Sequence, residues 1–522
     1  MLAVVPSATL HGLDGRSIRV EVDVAPGLPG FTIVGLADTA VQEARERVRG
    51  AIRNAGFTFP PRRITVNLAP AELRKTGASL DLAMALGILL GSEQVRAGGA
   101  IALLGELGLG GDVRPVPGIL PMVAAIAARR VTRVIVATAA VEEARLVAGV
   151  DVLGVATLAE AAELVRGHRP RRVPVAMPRV TISGPGPLVG AIRPDAGPTG
   201  WPVPDLAEVR GQTEARRGLE IALAGGHGLL LTGPPGVGKT LLARTIPGLL
   251  PPLDDAAALA VSIVASAAGE GPIHELRRQP PFRSPHHTLS YAAMVGGGAT
   301  LTPGEVTRAH GGVLFLDELA EFDRDVLEAL RQPLEEGRIV IARAGRVMTF
   351  PARFQLIAAM NPCPCGFAGA LPEGRCRCTP GEVERYDRRV SGPLRDRIDL
   401  WVTMPRVTAA AIVTRHEPED SAVVGARVHR ARALAASDRG RVNGRLRGRA
   451  LRRACRLTED VAARVVELAE AELASGRGTE RLLRVARTIA DLDGSTAVTT
   501  AHLDEAAWYR SPVTRAATAL AS

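Results

Sequence analysis

The sequence predicts a multidomain α/β protein built around a phosphate-binding core, on three observations. Residues 233–240 read Gly-Pro-Pro-Gly-Val-Gly-Lys-Thr, after the apolar run 228–232 and before a helical pattern at 241–246. A second apolar run, Val313–Leu316, ends in the carboxylates Asp317 and Glu318. Residues 1–167 alternate short apolar runs with helical patterns and hold no phosphate loop of their own.

At 522 residues the chain has room for about three domains of roughly 150 residues. A net charge of +10 favours an anionic partner, with nucleic acid the first candidate. Aromatics are only 3% of the residues, which argues against a stacking platform for single strands. No apolar stretch reaches the roughly 18 residues that span a bilayer, so no membrane partner is expected. The start, Met1 to Ser7, lacks the basic segment and long apolar core of a signal peptide. Four of the five cysteines crowd between 363 and 378, unlike a disulfide framework, and a reducing cytoplasm is the expected location.

In chain order, Ser17–Val24 alternates with period two, as a half-buried strand does. Ala40–Asn54 and Leu80–Leu90 read as helices, the second almost wholly apolar and therefore buried, and Val134–Ala137 reads as a short core strand. Residues 168–204 are rich in Gly, Pro and Arg without periodicity, which predicts a linker. A nucleotide domain is expected over 205–405, and 406–522 is helical in pattern. That last part includes Ser421–Arg456, where eleven Arg face one Asp, either as a nucleic-acid contact or as solvated helix faces.

The phosphate loop sets the chemistry. Gly233, Pro234, Pro235, Gly236, Val237 and Gly238 let backbone N–H groups turn inward around phosphate oxygens. Lys239 reaches the β and γ phosphates, and the Thr240 hydroxyl suits Mg²⁺. Asp317 suits the same Mg²⁺ through water, and Glu318 suits the base that activates an attacking water, a group needed for hydrolysis rather than binding. A third apolar strand, Phe354–Met360, ends in Asn361, which can hold that water near the γ phosphate. Leu394–Asp399 carries Arg395 and Arg397, either of which can act as an arginine finger or stand as a surface cation.

Several strings together resemble the ComM/YifB family of magnesium-chelatase-like AAA+ ATPases. They are Asp205–Gln212 running through Gly226-His227, then Phe282–His287, Glu305–Gly312, Met360–Gly366 and Arg484–Leu492. The resemblance covers nearly the whole chain. It implies an N-terminal Lon-protease-like domain of the ribosomal-S5-domain-2 type, an AAA+ core and a C-terminal helical lid. It also implies a homo-hexameric ring with ATP and Mg²⁺ between neighbours. By resemblance Asn361 is the sensor-1 residue, Arg397 the finger acting on the next subunit, and Arg477 the lid's sensor-2 arginine. Because Ser475–Glu480 departs from a helix-friendly string, Arg481 is a rival for that last role.

Residues 337–354 carry two β-rich stretches flanking Ala344-Gly345, a hairpin pattern. Arg343 and Arg346 bracket its tip, and the resemblance implies a hairpin facing a central pore. Six copies of these arginines can track DNA phosphates without reading bases. The plainer reading is a solvated hairpin whose charged edges discourage aggregation. The loop His286–Gly298 matches the helix-2 insertion region of the family. Adjacent histidines there are expected to point apart, so a structural or pore-loop role is favoured over zinc binding.

Cys363-x-Cys365 and Cys376-x-Cys378 can close a tetrahedral Zn²⁺ site, or remain simple reduced thiols. In the N-terminal part, Ser79 falls where Lon-like proteases place their nucleophile, but Leu120 stands at the expected lysine position. Lys75 is close in sequence, and a serine–lysine dyad needs a lysine positioned to take the serine proton. The domain is therefore expected to be non-proteolytic. The expectation overall is an ATP-hydrolysing DNA motor, with branch migration during natural transformation implied by the resemblance. The alternatives are an ATPase subunit of a metal chelatase and an ATP-dependent protease.

Overall fold

The computed structural model describes residues 1–36, 38–168, 202–271, 273–297, 302–343, 346–369, 375–407, 418–471 and 476–510. Most of the expected linker, 169–201, lies outside these residues. The chain forms two compact units.

The first unit comprises 1–191 together with 255–277 and 297–303. Its main sheet has the order Leu2–His11, Asp14–Ala25, Arg63–Ala69, Gly30–Val34. Alternation along Asp14–Ala25 turns Ile18, Val20, Val22 and Val24 into the core. Helix Asp81–Gly91 lies buried within this unit, as an element apolar on all sides must. A second, parallel sheet joins Ala102–Leu103, Arg133–Ala137 and Asp151–Val155.

Helix Asp255–Ala267 belongs to this unit although it lies within the sequence span of the nucleotide domain. Its Ser266 carbonyl accepts from Gly118 N at 2.9 Å. The Ser266 hydroxyl bonds both Glu143 and the backbone N–H of Leu120, so the start of helix Ile119–Ala127 is tied to it. Buried Val261, Val264 and Ala265 give the helix an apolar face, and burial of that face holds it to this unit.

The second unit is built on a five-stranded, wholly parallel sheet. Its order is Phe282–Arg283, Val313–Leu316, Gln355–Met360, Leu229–Thr232, Leu400–Thr403. Val313–Leu316 and Gln355–Met360 are buried at every position, which is why they read as continuous apolar runs rather than alternating ones. The C-terminal part is helical, with Ser421–Arg439, Gly448–Cys455, Glu459–Ala471, Gly476–Leu492 and Thr500–Trp508. No helix among the described residues is long and apolar enough to cross a membrane.

Candidate nucleotide site

Three neighbouring strands of the parallel sheet end at one place. Leu229–Thr232 runs into the phosphate loop, Val313–Leu316 into Asp317-Glu318, and Gln355–Met360 into Asn361. Gly236 and Gly238 sit at φ +77° and +93°, a region that side chains with a Cβ rarely enter, so glycine is required there. Helix Lys239–Arg244 follows the loop immediately.

The Lys239 ammonium is buried and donates to Gly233 O at 2.6 Å, Pro234 O at 3.0 Å and Asn361 Oδ1 at 3.1 Å. Burial lowers its pKa, opposed by the nearby Asp317 and Glu318 charges. Thr240 Oγ1 donates to Asp317 Oδ2 at 2.6 Å, and Asp317 Oδ1 accepts from the backbone N–H of Glu318 at 3.0 Å. A hydroxyl and a carboxylate converging in this way form the hard oxygen set that suits Mg²⁺, which would neutralise phosphate charge.

Glu318 lies at φ +54°, a left-handed position unusual for a residue with a side chain. Its carboxylate meets His287 Nδ1 at 3.0 Å. The His286 and His287 rings lie 4.2 Å apart between centroids. Sequence reasoning expects these rings to point apart, and the structure corrects that. Residues 284–290 are neither helix nor strand, so the alternation of side-chain directions does not apply. The His287–Glu318 contact was not visible in the sequence either, because it joins residues from separate segments.

Gln212 is a second group that sequence reasoning did not single out. Its buried amide donates to Val237 O at 3.2 Å and Pro405 O at 2.9 Å, bracing the phosphate loop from behind.

The candidate arginines occupy different surroundings. Arg395 donates to Val390 O at 2.9 Å, pairs with Asp387 Oδ1 at 2.7 Å and stacks on Trp401. Arg397 pairs with Glu335, and its buried Nε has no hydrogen-bond partner among the described residues. Arg477 is exposed at the start of helix Gly476–Leu492, whereas Arg481 donates to Ile398 O at 3.3 Å.

A buried polar network ties the starts of strands Leu229–Thr232 and Leu400–Thr403 to this helix. His227 Nδ1 meets Asp399 Oδ2 at 3.0 Å, and His227 Nε2 meets Thr488 Oγ1 at 2.8 Å. Arg484 donates to Asp399 Oδ1 at 3.1 Å. Burial alone would raise the Asp399 carboxyl, but the hydrogen bond to His227 and the Arg484 cation outweigh it and hold the group below the usual carboxylate range. Arg439, Asn443 and Arg487 converge on Asp491 on the same helix.

Strands Arg338–Arg343 and Arg346–Pro351 form an antiparallel hairpin with Arg343 opposite Arg346. The side chains of these two arginines and residues 344–345 lie outside the described residues. In the Arg-rich segment, Arg427 pairs with Glu220 and Glu419, Arg432 donates to Leu223 O, and Arg439 pairs with Asp491. Arg430, Arg441, Arg449, Arg452, Arg453 and Arg456 are exposed, as solvated helix faces require.

In the first unit, buried Ser79 donates to Ala8 O at 3.1 Å, and buried Lys75 donates to Pro70 O. Among the described residues no hydrogen bond joins Ser79 to Lys75, and Leu120 is a buried leucine with no group to take a proton. The serine hydroxyl proton points to a backbone carbonyl, which cannot accept it as a base.

Three family models match successive stretches of the chain. The family described as magnesium chelatase, subunit ChlI matches residues 205–412, the stretch that holds the phosphate loop and the Asp317–Glu318 strand end. Subunit ChlI of Mg-chelatase matches residues 20–140, and the ChlI C-terminal family matches 418–510. The YifB protein of Escherichia coli is 42% identical over 513 residues, covering 98% of this chain and 97% of that protein. Competence protein ComM of Haemophilus influenzae is 40% identical over 522 residues, covering 98% of each. The chain belongs to the ComM/YifB family of magnesium-chelatase-like proteins. The magnesium-chelatase 67 kDa subunit of Heliobacterium mobile is more distant, 26% identical over 201 residues and 32% of this chain. Membership makes this chain an AAA+ ATPase of the ComM/YifB family, with ATP and Mg²⁺ the nucleotide and metal it uses.

Proposed function

We propose that the chain is the subunit of a hexameric, ATP-hydrolysing DNA motor that drives branch migration in the cytoplasm. The convergence of Lys239, Thr240, Asp317 and Asn361 carries the hydrolytic part of this reading. In the proposed cycle the phosphate loop and Lys239 hold the β and γ phosphates, and Thr240 and Asp317 hold Mg²⁺. Glu318 takes the proton of the attacking water, Asn361 orients that water, and Arg397 and Arg477 stabilise phosphoryl charge from a neighbour and from the lid. Adjacent subunits complete each site, so hydrolysis in one is sensed by the next.

DNA as the cargo is supported by the +10 charge, by the hairpin carrying Arg343 and Arg346, and by the relative named for competence. Contacts of this kind act on phosphates and are independent of sequence. ATP turnover with no DNA, single strands and branched junctions tests the reading. Turnover stimulated most by junctions is expected, and turnover indifferent to every DNA contradicts it.

The second reading, an ATPase subunit of a metal chelatase, draws on the ChlI families that match all three parts of the chain. It predicts ATP turnover that responds to a porphyrin-binding partner subunit and not to DNA.

A further inference from the structure

The loop that leaves Asn361 brings four thiols together. Cys363 Sγ lies 3.4 Å from Cys365 Sγ and 3.7 Å from Cys376 Sγ, and Cys365 Sγ lies 3.6 Å from Cys376 Sγ. With Cys378 included, all four sulfurs lie within 4.8 Å of one another. A tetrahedron with Zn–S bonds of about 2.3 Å has edges of about 3.8 Å. The observed separations match that figure. They are far from the roughly 2.05 Å of a disulfide bond, and too short to surround a multi-iron cluster.

The surroundings suit an anionic sulfur centre. The backbone N–H of Ala368 points at Cys363 Sγ across 3.2 Å, the kind of hydrogen bond that steadies a thiolate ligand. A tetrathiolate zinc carries a net charge of −2, and Arg375 and Arg377 flank Cys376. Arg375 and Arg406 both lie over the Phe367 ring beside the cluster, at 5.5 and 5.6 Å. Thiolates also select zinc over the hard cations of the nucleotide site.

We propose that Cys363, Cys365, Cys376 and Cys378 bind one Zn²⁺ as a tetrathiolate, and that this metal fixes the turn linking Asn361 to the phosphate loop. Gly366 stands in the middle of that turn at φ +83°. A Cβ there would come within 2.7 Å of Pro235 in the phosphate loop and 3.8 Å of the Asn361 amide carbon. The cysteine turn is therefore packed against two parts of the nucleotide site at once. This inference depends on neither the DNA nor the chelatase reading.

The test is metal analysis of full-length protein purified without chelator. One zinc per chain is expected, released by a mercurial reagent and registered with a metallochromic dye. The double variant Cys376→Ser/Cys378→Ser should lose that zinc, while Cys455→Ser, whose buried thiol lies outside the cluster, should keep it. Replacing the zinc of the wild-type protein with Co²⁺ should give the visible bands of a tetrahedral sulfur-ligated ion, a readout that holds even if the variants fold poorly. Circular dichroism and ATP binding of the metal-stripped protein then register the role of the turn: ATP affinity should fall with the fold retained, and unchanged affinity overturns that role. Absence of zinc together with absence of a Co²⁺ spectrum overturns the site, as does stoichiometric iron or a Cys363–Cys376 disulfide.

Discussion

Lys239 Nζ donates to Asn361 Oδ1 across 3.1 Å, joining the phosphate loop to the tip of the adjacent strand. The two parallel strands beneath them set this distance, since Thr232 lies in register with Met360. In the proposed cycle, a lysine that engages phosphate from this position would keep Asn361 within reach of the γ phosphate.

Asn361→Ala should therefore spare ATP binding and slow hydrolysis. Loss of one positioned polar group costs on the order of a hundredfold in kcat. Single-turnover hydrolysis and nucleotide titration separate the two effects. Equal losses in affinity and turnover would show that Asn361 only supports the loop.

Arg397→Ala tests the proposed sharing of the site between subunits. Turnover should fall about a thousandfold while ATP binding stays measurable, as for an arginine finger. Mixing this variant with Glu318→Gln chains should restore some activity, because each supplies what the other lacks. Wild-type turnover by Arg397→Ala alone would remove the residue from the mechanism.

Much of this site was legible from the chain itself. The strand runs 229–232, 313–316 and 355–360 stand out because both faces of a covered parallel sheet are buried. The phosphate loop stands out because its conformation needs glycine at 236 and 238. Contacts between distant segments were hidden. Nothing local predicts that His287 meets Glu318, that Gln212 braces Val237, or that His227 and Arg484 share Asp399. The helix Asp255–Ala267 was hidden for a related reason: an apolar face reveals burial but not which unit buries it.

Asp399→Ala should destabilise the second unit by about 3–5 kcal/mol, because it strands the buried Arg484 cation and removes a partner of His227. Urea unfolding reads this as a lower midpoint. A shift worth less than about 1 kcal/mol would mean that the network is replaceable by water.

His310 predicts a loss of stability in acid. Its burial, with Arg353 and Arg445 nearby, holds the ring pKa down to about 4, and its Nδ1 accepts from Arg353 N at 3.0 Å. The neutral ring is thus the folded form. This contribution is complete above the unfolded pKa of about 6.5 and is lost as pH falls toward 4, on the order of 2–3 kcal/mol in all. His310→Gln should flatten the pH dependence of the unfolding midpoint across that window, and an unchanged slope would contradict it.

The most direct test of the motor is ATP-driven movement of a labelled branched DNA junction by wild-type protein and by Lys239→Ala. The wild type should convert the junction to its products only with ATP and Mg²⁺, and Lys239→Ala should leave it intact. Vigorous ATP hydrolysis by the wild type with every junction left unmoved would contradict the account.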